Sequence, residues 1–206
     1  MSQALGPTLR FETADFIMRS LVLGDESETW GAWFAEPRIA AMLNAPARAR
    51  TPAQLRDYIN LHDRRDRHLF GVFTKDDNRL IGIRTADIDR RRRAFSVHMV
   101  VGSDTDWGAG SMVQTTELLN NWTYETCDLL WSEASVLARN RKMVRYLIGL
   151  GWSVIGGGMI PSAADDGKLV EAVQLRRHRD IWRKDPRSCF VTGIPAPTGL
   201  EPPTAA

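Results

Sequence analysis

The stretch Met99-Val100-Val101-Gly102-Ser103-Asp104-Thr105-Asp106-Trp107-Gly108-Ala109-Gly110-Ser111-Met112 decides the fold. It starts as an apolar strand ending at Val101, passes through a glycine turn and opens a helix near Gly110. A strand that hands over to a helix in this way leaves several backbone N–H groups unpaired and pointing in one direction, with the positive end of the helix dipole behind them. Such a turn holds phosphate without a lysine. Gly108 and Gly110 permit positive φ and close approach of a ligand to the backbone. Two glycines at a helix start are a weak signal in isolation, so the neighbouring segments decide what the turn is for.

Upstream, Leu69 to Thr74 and Arg79 to Thr85 flank the polar turn Lys75-Asp76-Asp77-Asn78, and Asp89 to Arg93 turns the chain back into Phe95 to Val101. This predicts a three-stranded antiparallel meander. The run Arg90-Arg91-Arg92-Arg93 with Asp87 and Asp89 alongside reads as a solvated hairpin tip. Earlier still, Phe16 to Leu21 is strand-like, and Asp25-Glu26-Ser27-Glu28 announces a helix with Trp30, Trp33 and Phe34 on one face. Thr51-Pro52 starts a second helix carrying the stripe Leu55, Tyr58, Ile59 and His62.

Downstream, Leu118, Leu119 and Trp122 share one face of a helix running from Gly110 to about Thr126. Leu130 to Leu137 follows as a strand. Asn140 precedes a helix with Met143, Val144, Leu147 and Ile148 on one face and Gly149 and Gly151 at its end. Trp152 to Ile155 and Lys168 to Leu175 read as closing strands, separated by a loop from Gly156 to Gly167. The order is βααβββαβαββ.

Bulk properties narrow the class. The 206 residues are 43% hydrophobic and 25% charged, a composition that builds one domain around one substantial core. With 27 Lys and Arg against 25 Asp and Glu, a net charge of +2 gives no general electrostatic reason to expect nucleic acid or an anionic membrane as partner. Cys127 and Cys189 make neither a disulfide framework nor a zinc site, so no metal is expected and a cytoplasmic location is. The opening residues lack the features of a secretory signal, and no segment approaches the roughly 20 apolar residues of a membrane span. Four prolines between Pro195 and Ala206 predict a disordered tail from about residue 195.

Four blocks in this order resemble the GNAT acetyltransferases, in particular the subgroup that includes the bacterial ribosomal-protein N-terminal acetyltransferases. Glu12-Thr13 through Arg19-Ser20-Leu21 is similar to the subgroup's opening strand, and Leu80-Ile81-Gly82 to its isoleucine-glycine strand. Trp107-Gly108-Ala109-Gly110 resembles the aromatic form of the pyrophosphate loop, and Asn140 with Leu150-Gly151-Trp152 the asparagine and Leu-Gly-aromatic pair that follow it. The likeness runs from about Thr8 to Trp182.

The resemblance implies an α/β (α+β) GNAT fold, a mixed central sheet of about seven strands flanked by about four helices. It implies a domain over residues 8–185, leaving 186–206 as a C-terminal extension. It further implies acetyl-CoA, or coenzyme A, as cosubstrate, held by Val100, Val101, Trp107, Gly108, Ala109, Gly110, Ser111, Met112 and Asn140. A substrate amine would attack the thioester directly, the acceptor being a small-molecule amine or a protein N-terminus, and a homodimer is common in the family. Three positions depart from the pattern: Ser111 and Met112 stand where an aromatic and a small residue are usual, Met143 where serine is frequent. Leu147 occupies the place of the tyrosine acid found in other relatives, and Tyr146 lies one residue early, about 100° around the helix.

An attacking amine must lose a proton. The glutamate that the subgroup often carries on the central strand is missing near Ser96 and Val97. His98 shares a strand face with Ser96 and is the leading candidate base, with a partly buried structural histidine as the plainer reading. Glu133 on the adjacent strand is the second candidate, its plainer reading being a cross-strand ion pair. The departures leave a second functional class open, a GNAT-like module that binds a coenzyme-A ligand without turnover.

Overall fold

A computed structural model describes residues 5–103, 110–164 and 167–183. Strand β1 (Arg10–Glu12) pairs antiparallel with β2 (Phe16–Ser20), and three helices follow: α1 (Glu28–Trp33), α2 (Pro37–Leu43) and α3 (Pro52–Asn60). Each helix start is local chemistry. The Ser27 side chain accepts from the Trp30 N–H, Glu36 accepts from Arg38 with Pro37 in the first turn, and Thr51 and Gln54 form a reciprocal capping box. Helix α2 was not expected from the sequence. It is short, and its signals are the Glu36-Pro37 start and the left-handed Asn44 (φ 54°) at its end.

The expected meander forms as β3 (Arg67–Thr74), β4 (Leu80–Asp89) and β5 (Ala94–Val101), antiparallel throughout, with a bulge in the β3–β4 register near Ile81. Helix α4 (Ser111–Asn121) follows and passes into a π-helical turn, Trp122–Thr126, closed where the Cys127 N–H donates to the Trp122 carbonyl at 3.0 Å. This widening buries both Trp122 and Tyr124. Strand β6 (Trp131–Leu137), helix α5 (Arg141–Gly149), strands β7 (Ser153–Pro161) and β8 (Leu169–His178) and the terminal α6 (Arg179–Arg183) complete the chain.

One eight-stranded sheet runs β1-β2-β3-β4-β5-β6-β8-β7, all antiparallel except β5 with β6. Eight strands rather than about seven form because β1 pairs on its own with β2. The helices exceed about four through α2 and the five-residue α6. The glycine run expected as a loop is instead part of β7: Gly157 pairs with Val173 and Gly158 with Ala172. A Cβ at Gly157 would stand 2.9 Å from the Ala172 carbonyl oxygen, so the absence of side chains permits the pairing, and the register shift between Val154 and Gly156 takes up the irregularity. The expected extension over 186–206 lies outside the described residues.

The core has two faces. Phe11, Phe70, Phe95, Leu118 and Trp122 pack between the sheet and α4, while Leu21, Trp30, Trp33, Leu55, Ile83 and Val100 pack between the other face and α1 and α3. Gly102 abuts the Trp33 ring, which a Cβ there would overlap. Helix α5 covers Ala134, Val136 and Leu175 on the α4 side.

His68 is 3% exposed, stacked on Phe70 and edge-on to Trp122. Burial holds its imidazole below the usual range, against the opposing effect of the Arg65 carbonyl, and burial acts likewise on His62. An imidazole depressed in the fold stays neutral while the unfolded chain takes up a proton below about pH 6.5, so stability is complete above that pH and falls as pH drops toward the folded value. The melting temperature is therefore expected to fall between pH 7 and pH 5, and His68→Phe to flatten the decline; an unchanged slope in that variant would acquit His68.

Candidate active site

Strands β5 and β6 are parallel neighbours for only three pairs, Ala94 with Trp131, Phe95 with Ser132 and Ser96 with Glu133. Beyond Ser96 they separate, and a cavity of about 530 Å³ occupies the gap, walled by β5 from Val97 to Val101 and β6 from Ala134 to Leu137. Helices α4 and α5 close it on one side of the sheet, through Leu119 and Tyr146 among others, and α2 on the other, through Ile39, Met42 and Leu43. The volume suits a ligand of cofactor size.

The backbone of β5 serves both neighbours. In an antiparallel ladder hydrogen bonding alternates along the strand. Gly102 donates to the Ile81 carbonyl of β4, whereas the Arg93 carbonyl accepts from Leu130 and Trp131 on the β6 side. Alternation between these anchors turns the even residues toward β4 and turns Met99 and Val101 toward the open gap. Val101 thus turns its backbone to the gap, whereas the backbone of Val100 faces Ile83 and its side chain packs among the Trp30 and Trp33 group, and both residues border the cavity.

The start of α4 lies beside the gap, where Ser111 and Met112 border a smaller pocket with Arg84, Val100 and Val101. Gly110 is left-handed (φ 77°, ψ 0°), its carbonyl accepts from the Gln114 N–H at 3.1 Å, and as the N-cap residue it brings no side chain to the helix start. Ser111 and Met112 turn their side chains into the core beneath. Trp107, Gly108 and Ala109 lie outside the described residues.

Across the gap, Asn140 caps α5, its Oδ1 accepting from the Met143 N–H at 3.2 Å, and it also lines the cavity. Met143, Tyr146 and Leu147 continue that wall. Tyr146, set aside in the sequence as one residue early, thus faces the cavity after all, because residues three and four apart share a helix face.

His98 lines the cavity and is exposed, and while its backbone pairs with Thr85, its imidazole has no hydrogen bond to any described residue. It faces the α2 side, as Ser96 does. Glu133 is placed differently. Its Oε1 lies 2.8 Å from Arg92 Nη2 and 3.2 Å from Arg176 Nε, at the closed vertex of the strands and outside the cavity lining. The carboxylate is engaged by two guanidinium groups, the ion-pair arrangement that its position on β6 also allowed.

Sequence reading missed Arg84. This residue of β4 is 3% exposed and reaches across to α4, where Nε donates to Thr115 Oγ1, and Nη2 to the Met112 carbonyl and to Thr116 Oγ1, each at 2.8 Å. Burial pushes its pKa down to about 10. The only available signal was a charged residue inside Leu80-Ile81-Gly82-Ile83-Arg84-Thr85-Ala86, an otherwise apolar strand. With Arg84, the cavity is lined by Arg38, Arg139, Arg141 and Lys142, and none of its described lining residues is a carboxylate. Such a field selects anions. Among the described residues no group of side chains could hold a metal ion, and no helix is long and apolar enough to cross a membrane.

Comparison with known proteins agrees with this geometry. The family model described as acetyltransferase (GNAT) domain matches residues 15–153. No curated protein matches the sequence significantly. Among solved structures, the spermidine N-acetyltransferase from Vibrio cholerae in complex with CoA and spermine superposes with a TM-score of 0.69 at 15% identity, covering 82% of this chain and 98% of that one. The ribosomal-protein-S5-alanine acetyltransferase from Vibrio fischeri gives a TM-score of 0.66 at 19% identity, covering 84% and 98%. A GNAT-family acetyltransferase from Bacillus anthracis gives 0.67 at 12% identity, covering 83% and 99%. At such identities the likeness is one of fold.

Proposed function

Because the chain belongs to the GNAT acetyltransferase family, we propose that it is an N-acyltransferase that passes an acyl group from a coenzyme-A thioester, acetyl-CoA being the family's donor, directly to an amine. The observation that carries this reading is the splayed β5–β6 gap, with the glycine start of α4 beside it and cations but no described carboxylate around it. The pyrophosphate rests on the N–H groups of Ser111 and Met112, and Asn140 borders the pantetheine arm. Met99 and Val101 supply the backbone N–H groups that polarise the thioester carbonyl, with Met99 taking the part expected of Val100.

The amine attacks from the α2 side. Its proton passes to His98, the C–N bond forms, the C–S bond breaks, and Tyr146 is the group placed to protonate the departing thiolate. Glu133 is held back from proton transfer by Arg92 and Arg176. A covalent relay through Cys127 finds no support, since its thiol is outside the cavity lining and pushed up to about 11 by burial. Arg38 and Arg139 at the acceptor mouth disfavour a polycationic acceptor and favour a neutral or acidic amine.

Thiol release from acetyl-CoA with a panel of amines tests the assignment. Amine-dependent release above background is expected, with neutral and acidic amines ahead of polyamines. Tight binding of coenzyme A without release from any donor and amine would instead assign the chain as a binding module, the reading that Met112 and Met143 favour.

A further inference from the structure

A guanidinium buried to 3% exposure needs a reason beyond fastening α4 to β4. Arg84 spends Nε and Nη2 on Thr115, Met112 and Thr116, and the Glu117 carboxylate acts on it only through space. Nη1 is left over, and Arg84 lines the cavity. One turn along α4 from Thr116 stands Asn120, 2% exposed, whose Nδ2 has no hydrogen-bond partner and which lines the same cavity. Residues four apart on a helix are neighbours, so Thr116 brings the Arg84 head group and the Asn120 amide to one patch. A buried amide donor without an acceptor is costly, and Asn120 Nδ2 beside the one guanidinium nitrogen of Arg84 that makes no hydrogen bond to the described protein forms a pair of donors suited to a ligand anion. An acetyl methyl offers them nothing.

We propose that the preferred acyl donor ends in a carboxylate, a four-carbon dicarboxylic acid joined to coenzyme A through one of its two carboxyls, with the free carboxylate received by Arg84 Nη1 and Asn120 Nδ2. The inference rests on the transferase reading above and deepens it. Arg84 and Asn120 lie on the α4 side of the gap, opposite the α2 side that receives the amine, so they face the acyl chain rather than the acceptor. Transfer remains the same reaction: the amine nitrogen bonds to the thioester carbonyl carbon, the sulfur leaves with the C–S electron pair, the amine proton passes to the base, and the distal carboxylate is unchanged. Arg84 and Asn120 are specificity residues that touch the far end of the acyl group.

The test is calorimetric binding of succinyl-CoA, butyryl-CoA, acetyl-CoA and free coenzyme A to the full chain. Butyryl-CoA matches the succinyl length without its charge. Succinyl-CoA is expected to bind at least about tenfold more tightly than butyryl-CoA or acetyl-CoA, the scale of one charge-assisted contact in a dry site. Arg84→Met is expected to erase that preference, bringing succinyl-CoA and butyryl-CoA to equal affinity. Should Arg84→Met fail to fold, Asn120→Asp keeps the shape, places a negative charge against the acyl carboxylate and is expected to reverse the preference. Equal or weaker binding of succinyl-CoA in the unmodified protein overturns the acyl assignment alone, as does a preference that survives both substitutions. Failure of all four ligands to bind overturns it together with the transferase reading.

Discussion

Replacing Gly110 with valine weakens binding of coenzyme A by about 10²-fold while the protein remains folded. Gly110 sits at φ 77° with its carbonyl engaged as the first acceptor of α4. A residue with a Cβ in that region costs about 1–2 kcal/mol, and β-branching adds to it. Among the described residues a Cβ there meets only Gln114 Nε2, at 3.7 Å, so they leave room for the side chain. Strain thus tilts the first turn of α4 or the isopropyl group stands over its N–H groups, and either result denies the pyrophosphate its approach. Calorimetry with coenzyme A measures the affinity and thermal unfolding the stability. Gly110→Ala, with the same strain and less bulk, is expected to fall between the two. A folded Gly110→Val protein with undiminished affinity removes the pyrophosphate from the start of α4.

What the sequence disclosed divides along a physical line. Helix starts were legible wherever a cap is a local event, as at Thr51-Pro52 and Asn140; in Asp25-Glu26-Ser27-Glu28 the cap is Ser27 and not the acidic Asp25, whose carboxylate is taken by Arg19. Hairpins were legible because a polar turn of fixed length sets the register of the strands beside it, as in Lys75 to Asn78. The glycine run at 156–158 misled because glycine marks both a loop and an edge strand lying close to its neighbour, and only β8 decides between them. The site followed the same division. His98 and Asn140 were found through alternation and capping. Arg84, Asn120 and the α2 wall were not, because their place in the cavity depends on how β4, α4 and α2 meet across the sheet. Tyr146 shows the intermediate case: its rotation about α5 was read correctly, but the width of the cavity that α5 borders is a tertiary property.

His98→Ala lowers kcat by about 10²-fold on the true acceptor, the usual scale for a positioned base, and leaves the melting temperature near that of the unmodified protein. The second half follows from surroundings. His98 is exposed and its imidazole has no hydrogen bond to the described residues, so its removal costs the fold little, whereas a histidine kept for structure would be tied to its neighbours as His62 is to the Tyr58 carbonyl at 2.8 Å. The first half follows from position. His98 borders the cavity one residue from Met99, whose backbone faces the gap, and on the side where α2 leaves room for an amine. His98→Gln, which keeps the size and polarity but cannot accept the proton, is expected to be equally impaired. With Glu133 held by Arg92 and Arg176, no second carboxylate among the described cavity residues is placed to substitute. Full turnover in His98→Gln with an unaltered pH profile would pass deprotonation to solvent and leave His98 as a residue of the cavity wall.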